Sequence, residues 1–375
     1  MKTLILSCNT GEGHNSCAKA IKEYYDQEGE CCVIEDGLRF ISPTVSEIMS
    51  RGHAFVYRNI PGLFTFGYRY TEKHPSVFQK RSAIYRFLTQ GSEKIYRFIT
   101  EGKFDTVICT HVFTALMLNA AMEAYPMKLA TCFVATDYTC SPSTKESNLD
   151  YYFIPSADLQ SDFIDVNITS AKTVSSGIPV RQMFYTPIDK QTAKAAIGIR
   201  KTHRHLLLMG GSMGCGSMEK ILKKLAVQAA ADTEITVVCG SNRALERKLL
   251  RKYKDCDSIH IKGFVQDMNT LMSSADLFLT KPGGISVSEA AAKALPMVLI
   301  DAVAGCEEYN RGYFIHKGCA KTGATAEELS DICIELLEHD ELRHQMEANL
   351  HRTGSCNSAQ IIYQQMKSLT EKSYA

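Results

Sequence analysis

The chain has 375 residues, 45% hydrophobic and 22% charged, with a formal net charge of +1. That length is too great for one ordinary core and sets two domains as the expectation. The near-neutral balance excludes a global field for nucleic acid or membrane, so any such attraction has to come from a local patch. No run of about 18 apolar residues exists, which excludes a transmembrane helix.

Strand-like and helix-like segments alternate from the start. MKTLILSCNTGEGH reads as a first strand and a glycine-rich loop, not as a signal peptide. CCVIEDG (31–37), FDTVICTH (104–111), LATCFVAT (129–136) and DYYFIPS (150–156) read as further strands. From 203 the rhythm restarts, with strands expected at 203–211, 234–240, 258–264, 276–284 and 297–302 and helices at 217–231, 242–253, 267–274 and 286–294. Strands apolar on both faces and separated by helices imply a parallel sheet covered on both sides. Two such series imply two Rossmann-like α/β domains. The break falls near 178–200, where Gly, Pro and a short polar helix interrupt the strands. The expected domains are therefore 1–180 and 181–355, with a C-terminal helix over 356–375 that crosses back to the first. The 14 cysteines include no C-x-x-C pair and lie mostly inside these elements, as reduced buried thiols would and disulfides or a zinc site would not.

Residues 51–97 differ from the rest. Arg51, Arg58, Arg69, Lys73, Lys80, Arg81, Arg86, Lys94 and Arg97 face only Glu72 and Glu93, and aromatic residues such as Phe55, Phe66, Tyr70, Phe78, Tyr85 and Phe87 are interleaved with them. This composition suits the headgroup layer of an anionic bilayer. A helical hairpin with an aromatic core and a solvated basic face would look the same. Single-stranded nucleic acid also binds such surfaces, but nothing else in the chain supports it, and no nucleic-acid partner is expected.

Four glycine-rich turns follow strands: NTGEGHN (9–15), GGSMGCGS (210–217), GSNRA (240–244) and KPGG (281–284). Ligands of open α/β sheets bind outside the carboxyl ends of the strands, where helix N-termini offer amides to anions. There is no P-loop signature. TGEGHNSCA lacks the third dinucleotide-fingerprint glycine, which leaves Asp36 alone to meet a ribose. In KPGGISVSEA, Ser286 and Glu289 lie three apart on one helix face. They fit a capping box with Ser286 as N-cap, and Glu289 equally fits a vicinal diol. GCEEYN supplies Glu307, Glu308 and Asn310 after another strand, as a ligand site or a solvated helix start.

Taken in order, LILSCNTGEGHNSCAKAI, VATDY (134–138), GGSMGCG, GFVQDM (263–268), KPGGISVSEA, LPMVLI and GCEEYN resemble the glycosyltransferase family 28 group. Within it the chain is similar to diacylglycerol glucosyltransferases and monogalactosyldiacylglycerol synthases. The resemblance implies a GT-B fold, two Rossmann-like domains facing each other across a cleft, with the nucleotide sugar on the C-terminal one. Carried over by position, Gly211 and Ser212 would face the diphosphate, and Phe264 and Val265 would hold the uracil. Gly283, Gly284, Ile285 and Ser286 would form a second phosphate turn, Glu289 would bind the ribose, and Glu307, Glu308 and Asn310 would lie near the donor sugar. His14 would reach the reacting centre. Relatives carry an aspartate where this chain has Asn9; asparagine cannot take a proton, which leaves His14 or Asp137 as the general base. Cys306, Ser141 and Thr144 also depart from the group's pattern.

The expectation is an inverting hexosyltransferase that moves sugar from a UDP-sugar to a membrane lipid, diacylglycerol first. Transfer of GlcNAc to a polyprenyl-linked precursor, UDP-sugar epimerisation and a non-catalytic UDP-sugar-binding regulator are the alternatives. No cofactor and no metal are expected, since helix-end dipoles can meet the charge of a leaving diphosphate. Arg58, Arg69, Arg81 and Arg86 are the expected contacts to an anionic membrane, at the cytoplasmic face of the cell membrane.

Overall fold

Every apolar run expected as a strand pairs in parallel with its neighbours, and among the described residues the strands form two six-stranded sheets. This computed structural model describes residues 1–374 apart from 60, 81, 167, 212–213, 215–216, 303–304 and 354–355. For 53–54, 57–59, 61, 63–65, 68, 75, 142 and 373–374 it describes the backbone alone. The chain divides into unit 1, Met1–Gln182 with Ala304–Cys306 and Cys356–Ala375, and unit 2, Met183–Val303 with Glu307–Ser355.

Unit 1 runs β1 (Lys2–Ser7), α1 (Glu12–Gln27), β2 (Cys31–Asp36), α2 (Leu38–Ile41), α3 (Pro43–Asn59), α4 (Pro61–Lys73), α5 (Ala83–Leu88), α6 (Ser92–Gly102), β3 (Thr106–Cys109), α7 (Val112–Ala124), β4 (Ala130–Val134), β5 (Tyr151–Ile154), α8 (Gln160–Ile164) and β6 (Thr173–Ser175). Its sheet order is β2-β1-β3-β4-β5-β6. The chain leaves β1 toward β2 on one side and returns to β3 on the other, so a topological switch point lies between β1 and β3. Leu4, Ile5, Leu6, Val107 and Ile108 are fully buried, because helices cover both faces of these strands.

Unit 2 runs α9 (Lys190–Ile197), β7 (Arg204–Met209), α10 (Met218–Gln228), β8 (Thr233–Val238), α11 (Arg243–Lys252), β9 (Ile259–Lys262), α12 (Met268–Ser274), β10 (Leu277–Thr280), α13 (Gly284–Ala292), β11 (Met297–Leu299), α14 (Cys306–His316), β12 (Ala320–Thr322), α15 (Ala326–Glu338) and α16 (Asp340–Thr353). The order β12-β11-β10-β7-β8-β9 puts the second switch point between β7 and β10, whose ends are level, with Thr280 opposite Met209. The last helix, α17 (Ser358–Tyr374), belongs to unit 1. Its Tyr363 ring packs 5.6 Å from Tyr24 and 5.1 Å from Tyr25 of α1.

Two edge strands, β6 and β12, were not expected from the sequence. Each has three residues, TVS and AKT, and unlike the equally short β11 in MVLI neither lies in an apolar run that would mark it. The described cysteines are free thiols. Burial pushes Cys109 up to about 12, so it behaves as a small apolar side chain.

Charged groups at the amino ends of the unit 2 strands are consumed by structure. Asp276, just before β10, meets Lys190 at 2.8 Å and Lys194 at 2.9 Å, and accepts from the His205 amide at 2.8 Å. Burial alone would raise its pKa, but the two ammonium groups and that amide overcome it and hold Asp276 below the usual carboxylate range. His205 is fully buried, and burial brings its pKa down to about 4. Its ring is therefore neutral, bonded to Ser274 at 3.0 Å and Thr236 at 2.8 Å. Replacing Asp276 with Asn leaves Lys194 buried without a counter-charge, and should cost about 3 kcal/mol in urea unfolding at neutral pH. A group with a lowered folded pKa stabilises above its unfolded value, so the gap should be full above about pH 4 and close on further acidification. A gap that does not change with pH would contradict this reading.

Candidate active site

The carboxyl ends of the strands are built differently. In unit 1, the loop after β1 runs straight into α1, whose N-cap Gly11 has no side chain to offer. The first turn of α1 is anchored by the two residues that follow instead. Asn15 accepts from Ser7 Oγ at 2.6 Å and donates to Asn9 Oδ1 at 2.9 Å. His14 places Nδ1 2.9 Å from the carbonyl oxygen of Thr110, just past β3, and 3.0 Å from the hydroxyl of Thr136, just past β4. His14 thus spans the switch point of unit 1.

A carbonyl oxygen can only accept, so the proton of the neutral imidazole sits on Nδ1 and the basic lone pair on Nε2. The ring also meets His111 edge-on at 4.4 Å. His111 itself accepts at Nδ1 from the Phe113 amide at 3.0 Å, as the N-cap of α7. Asp137, the other candidate base, is half-buried and follows Thr136 directly, so the structure brings both candidates to the same sheet edge. Asn9 donates to Asp36 at 3.0 Å. Thr110, Thr136 and His111 escaped the sequence reading, because a backbone carbonyl and two strand-end polar residues leave no motif.

In unit 2, the loops after β7 and β10 flank the switch point. Gly211 has φ +75° and Gly214 φ +56°, and a Cβ on Gly214 would lie 2.1 Å from the carbonyl oxygen of Cys239. Side chains cannot be accommodated at Gly214, and the turn closes through Gly214 N to Gly211 O at 3.1 Å. Asn242 donates to Gly214 O at 3.0 Å and also caps α11, so the GSNRA turn supports its neighbour. Asp301, after β11, accepts from the Ser217 hydroxyl at 2.7 Å at the far end of the same loop. Ser212 lies outside the described residues.

The KPGG turn corrects one alternative. α13 starts at Gly284 with Gly283 as its N-cap, two residues earlier than expected, so Ser286 sits inside the first turn and is not a cap. No side chain caps the helix, and its first backbone bond runs from Val287 N to Gly283 O. The amides of Gly284, Ile285 and Ser286 precede that bond at the positive end of the helix dipole. Glu289 follows in the next turn, half-buried.

Two residues of α14 hold this turn. Asn310, fully buried, donates to the Pro282 carbonyl at 2.9 Å, and Glu307 reaches Lys281 at 3.5 Å. Lys281 is 6% exposed, an ammonium kept beside an anion-ready helix start, and the sequence reading passed over it. Glu308 is half-buried between them on the same helix. Phe264 and Val265 follow β9, two strands from β7 and so about 10 Å along the sheet edge. Phe264 is 67% exposed, as a platform for a planar group would be.

The basic aromatic segment runs from within α3 through α4 and α5 into α6, and the structure sorts its aromatics. Phe78 and Tyr85 enter the unit 1 core, whereas Phe55, Phe66, Tyr70 and Phe87 stay exposed along with Ile48 and Ile84. Arg69 and Arg86 are exposed among them. Arg81 and the Arg58 side chain lie outside the described residues. No helix among the described residues is long and apolar enough to cross a membrane.

Comparison with known proteins bears on the fold and the family. The monogalactosyldiacylglycerol (MGDG) synthase family matches residues 14–180, and the glycosyl transferases group 1 family matches 217–352. A processive diacylglycerol beta-glucosyltransferase of Staphylococcus carnosus is 24% identical over 90% of this chain and 85% of its own. One from Staphylococcus aureus strain MRSA252 is 24% identical over 98% and 93%. Among solved structures, Acinetobacter baumannii MurG superposes with a TM-score of 0.65 at 15% identity, over 98% of this chain and 100% of that one. A UDP-GlcNAc 2-epimerase of Neisseria meningitidis does so at 0.62 and 15% identity, over 98% and 100%.

The geometry around His14 makes one prediction independent of any substrate. Multiple-bond 1H–15N correlation of the neutral ring should give the Nδ1–H tautomer, and an Nε2–H pattern would contradict the Thr110 contact. With both family matches, relatives aligned over nearly the whole chain and two parallel-sheet units, the protein is a GT-B glycosyltransferase, similar to the diacylglycerol glucosyltransferases and monogalactosyldiacylglycerol synthases of family 28.

Proposed function

We propose that the protein transfers a hexose from a UDP-sugar to the free hydroxyl of diacylglycerol, with inversion, at an anionic membrane surface. The observation that carries the reading is the 2.9 Å contact of His14 Nδ1 with the Thr110 carbonyl oxygen, which assigns the proton to Nδ1 and the basic lone pair to Nε2. In this reading the lipid hydroxyl attacks the anomeric carbon while Nε2 of His14 takes its proton, and Asp137 is the second candidate for that role. The bond from the sugar to the β-phosphate breaks, and UDP departs with the electron pair. The amides at the start of α13 and the ammonium of Lys281 meet the added negative charge without a divalent ion. Gly211 and Ser212 border the diphosphate, Glu289 binds the ribose diol, and Phe264 and Val265 hold the uracil. Glu307, Glu308 and Asn310 bound the sugar side, two of them through the turn they hold.

Docking falls to α3–α5. Exposed aromatic rings beside Arg69 and Arg86 suit the interfacial layer, where each cation contributes roughly 1 kcal/mol. Such a surface would bring the unit 1 edge to a substrate that does not leave the bilayer. The relatives named above for glucosylating diacylglycerol support this acceptor.

Incubation with anionic liposomes containing diacylglycerol and each UDP-sugar in turn tests the proposal. Glycolipid formation is expected. Donor binding without turnover would point to a regulator, an altered sugar to an epimerase, and turnover only with a polyprenyl-linked acceptor to GlcNAc transfer. His14→Ala should lower kcat by about a hundredfold or more, and unchanged turnover would remove His14 from the mechanism. Glu289→Ala should raise the donor KM by about tenfold with little change in kcat. For docking, Phe55→Ser with Phe66→Ser, or Arg69→Glu with Arg86→Glu, should weaken liposome sedimentation; binding equal to that of the wild type would reject this surface.

A further inference from the structure

We propose that Asp36 is a positioning residue for the transfer reaction, an acceptor-only end to a directional hydrogen-bond chain that fixes the His14 turn and ties it to α3. The proposal rests on the functional reading above. The chain runs one way. Ser7 Oγ donates to Asn15 Oδ1 at 2.6 Å, Asn15 Nδ2 to Asn9 Oδ1 at 2.9 Å, and Asn9 Nδ2 to Asp36 Oδ2 at 3.0 Å. From the other side, the hydroxyl of Ser46 on α3 donates to the same carboxylate oxygen, and the Leu38 amide donates to the other at 3.1 Å. Ser46 is buried, although it belongs to a helix that exposes Ile48 and Phe55.

The direction has a physical cause. A side-chain amide can present either its oxygen or its nitrogen, so a chain of two asparagines has no intrinsic sense. A carboxylate has only acceptors, and placed at one end it forces Asn9 to present its NH₂ to Asp36 and its oxygen to Asn15. Asn15 is thereby oriented in turn, and it is the residue next to His14. Because α1 has no side-chain cap, this chain through Asn15 joins the His14 contacts to Thr110 and Thr136 in holding the first turn. Asp36 itself is engaged by three donors of its own unit, which suits support better than ligand contact. The same carboxylate makes α3 and the His14 turn share one anchor, so the helix given to the bilayer and the residue given to the proton are mechanically joined.

Asp36→Asn supplies a second NH₂ opposite Asn9 and removes the fixed sense. The expected result is a fall in kcat of about a hundredfold, the scale of a small misplacement of a reacting group. The KM for UDP-sugar should stay unchanged, since the donor groups lie in unit 2. Asn9→Asp puts two carboxylates face to face and also brings in the aspartate that relatives carry, so it is read by the His14 ring 15N signals, which should shift as in Asp36→Asn, and not by kcat. The double variant, Asn9→Asp with Asp36→Asn, restores one acceptor-only group: Asn at 36 donates to Asp at 9, which still accepts from Asn15. Its His14 ring signals should return to those of the wild type, a readout that a new carboxylate base at position 9 would not by itself restore. The His14 ring 15N signals supply a readout apart from activity: shifted in Asp36→Asn and restored in the double variant.

Thermal unfolding and UDP binding identify folded variants, and Ser46→Ala, which removes only the α3 tie, is a milder probe read in the same way. Unchanged kcat and unchanged His14 signals in Asp36→Asn would overturn the proposal. So would a folded double variant whose His14 signals stay as shifted as those of the single ones. Absence of turnover by the wild type would sink the functional reading itself, while normal wild-type turnover with unaffected variants would sink this inference alone.

Discussion

The account depends on a short stretch of backbone, the uncapped start of α13, where three amides precede the first helical hydrogen bond. A helix end of this kind is incomplete until something accepts from it, and its dipole prefers an anion. Glycine at 283 and 284 keeps side chains out of the approach. The surrounding residues stop the turn from relaxing: Asn310 holds the Pro282 carbonyl, and Glu307 keeps the Lys281 ammonium in place. A nucleotide diphosphate would supply what this end of the helix lacks.

The parallel sheet divides labour between its two ends. At the amino ends of the unit 2 strands, Asp276, Lys190, Lys194 and His205 satisfy one another. At the carboxyl ends, Asn242, Asp301 and Asn310 bond instead to Gly214, Ser217 and Pro282 in the loops after β7 and β10. Unit 1 repeats the scheme with a different product. Its switch point carries an imidazole held by a carbonyl, so in the proposed function the same topology would offer a base in one unit and an anion site in the other.

Much of this could be read from the sequence because apolar strands bounded by glycine are unambiguous signals. Each expected strand formed, and the turns fell at the strand ends. What escaped has physical reasons. The three-residue strands β6 and β12 are short and polar, without the apolar run that marks β11. The start of α13 was placed two residues late because serine is the commoner cap and glycine a poor helix former. The interpretation of Glu307 and Asn310 also changed in scope, since their grip on KPGG depends on α14 lying against a turn some 25 residues earlier in the chain. The carbonyl of Thr110 is invisible to any motif, yet it sets the tautomer of His14.

The most direct test of the central claim is calorimetric titration of the folded protein with UDP and, separately, with uridine. If the α13 amides and Lys281 supply most of the grip, UDP should bind at one site and uridine about a hundredfold more weakly, since charge-assisted bonds contribute roughly 1.5–3 kcal/mol each. No heat with UDP, or equal affinity for the two, would contradict the account.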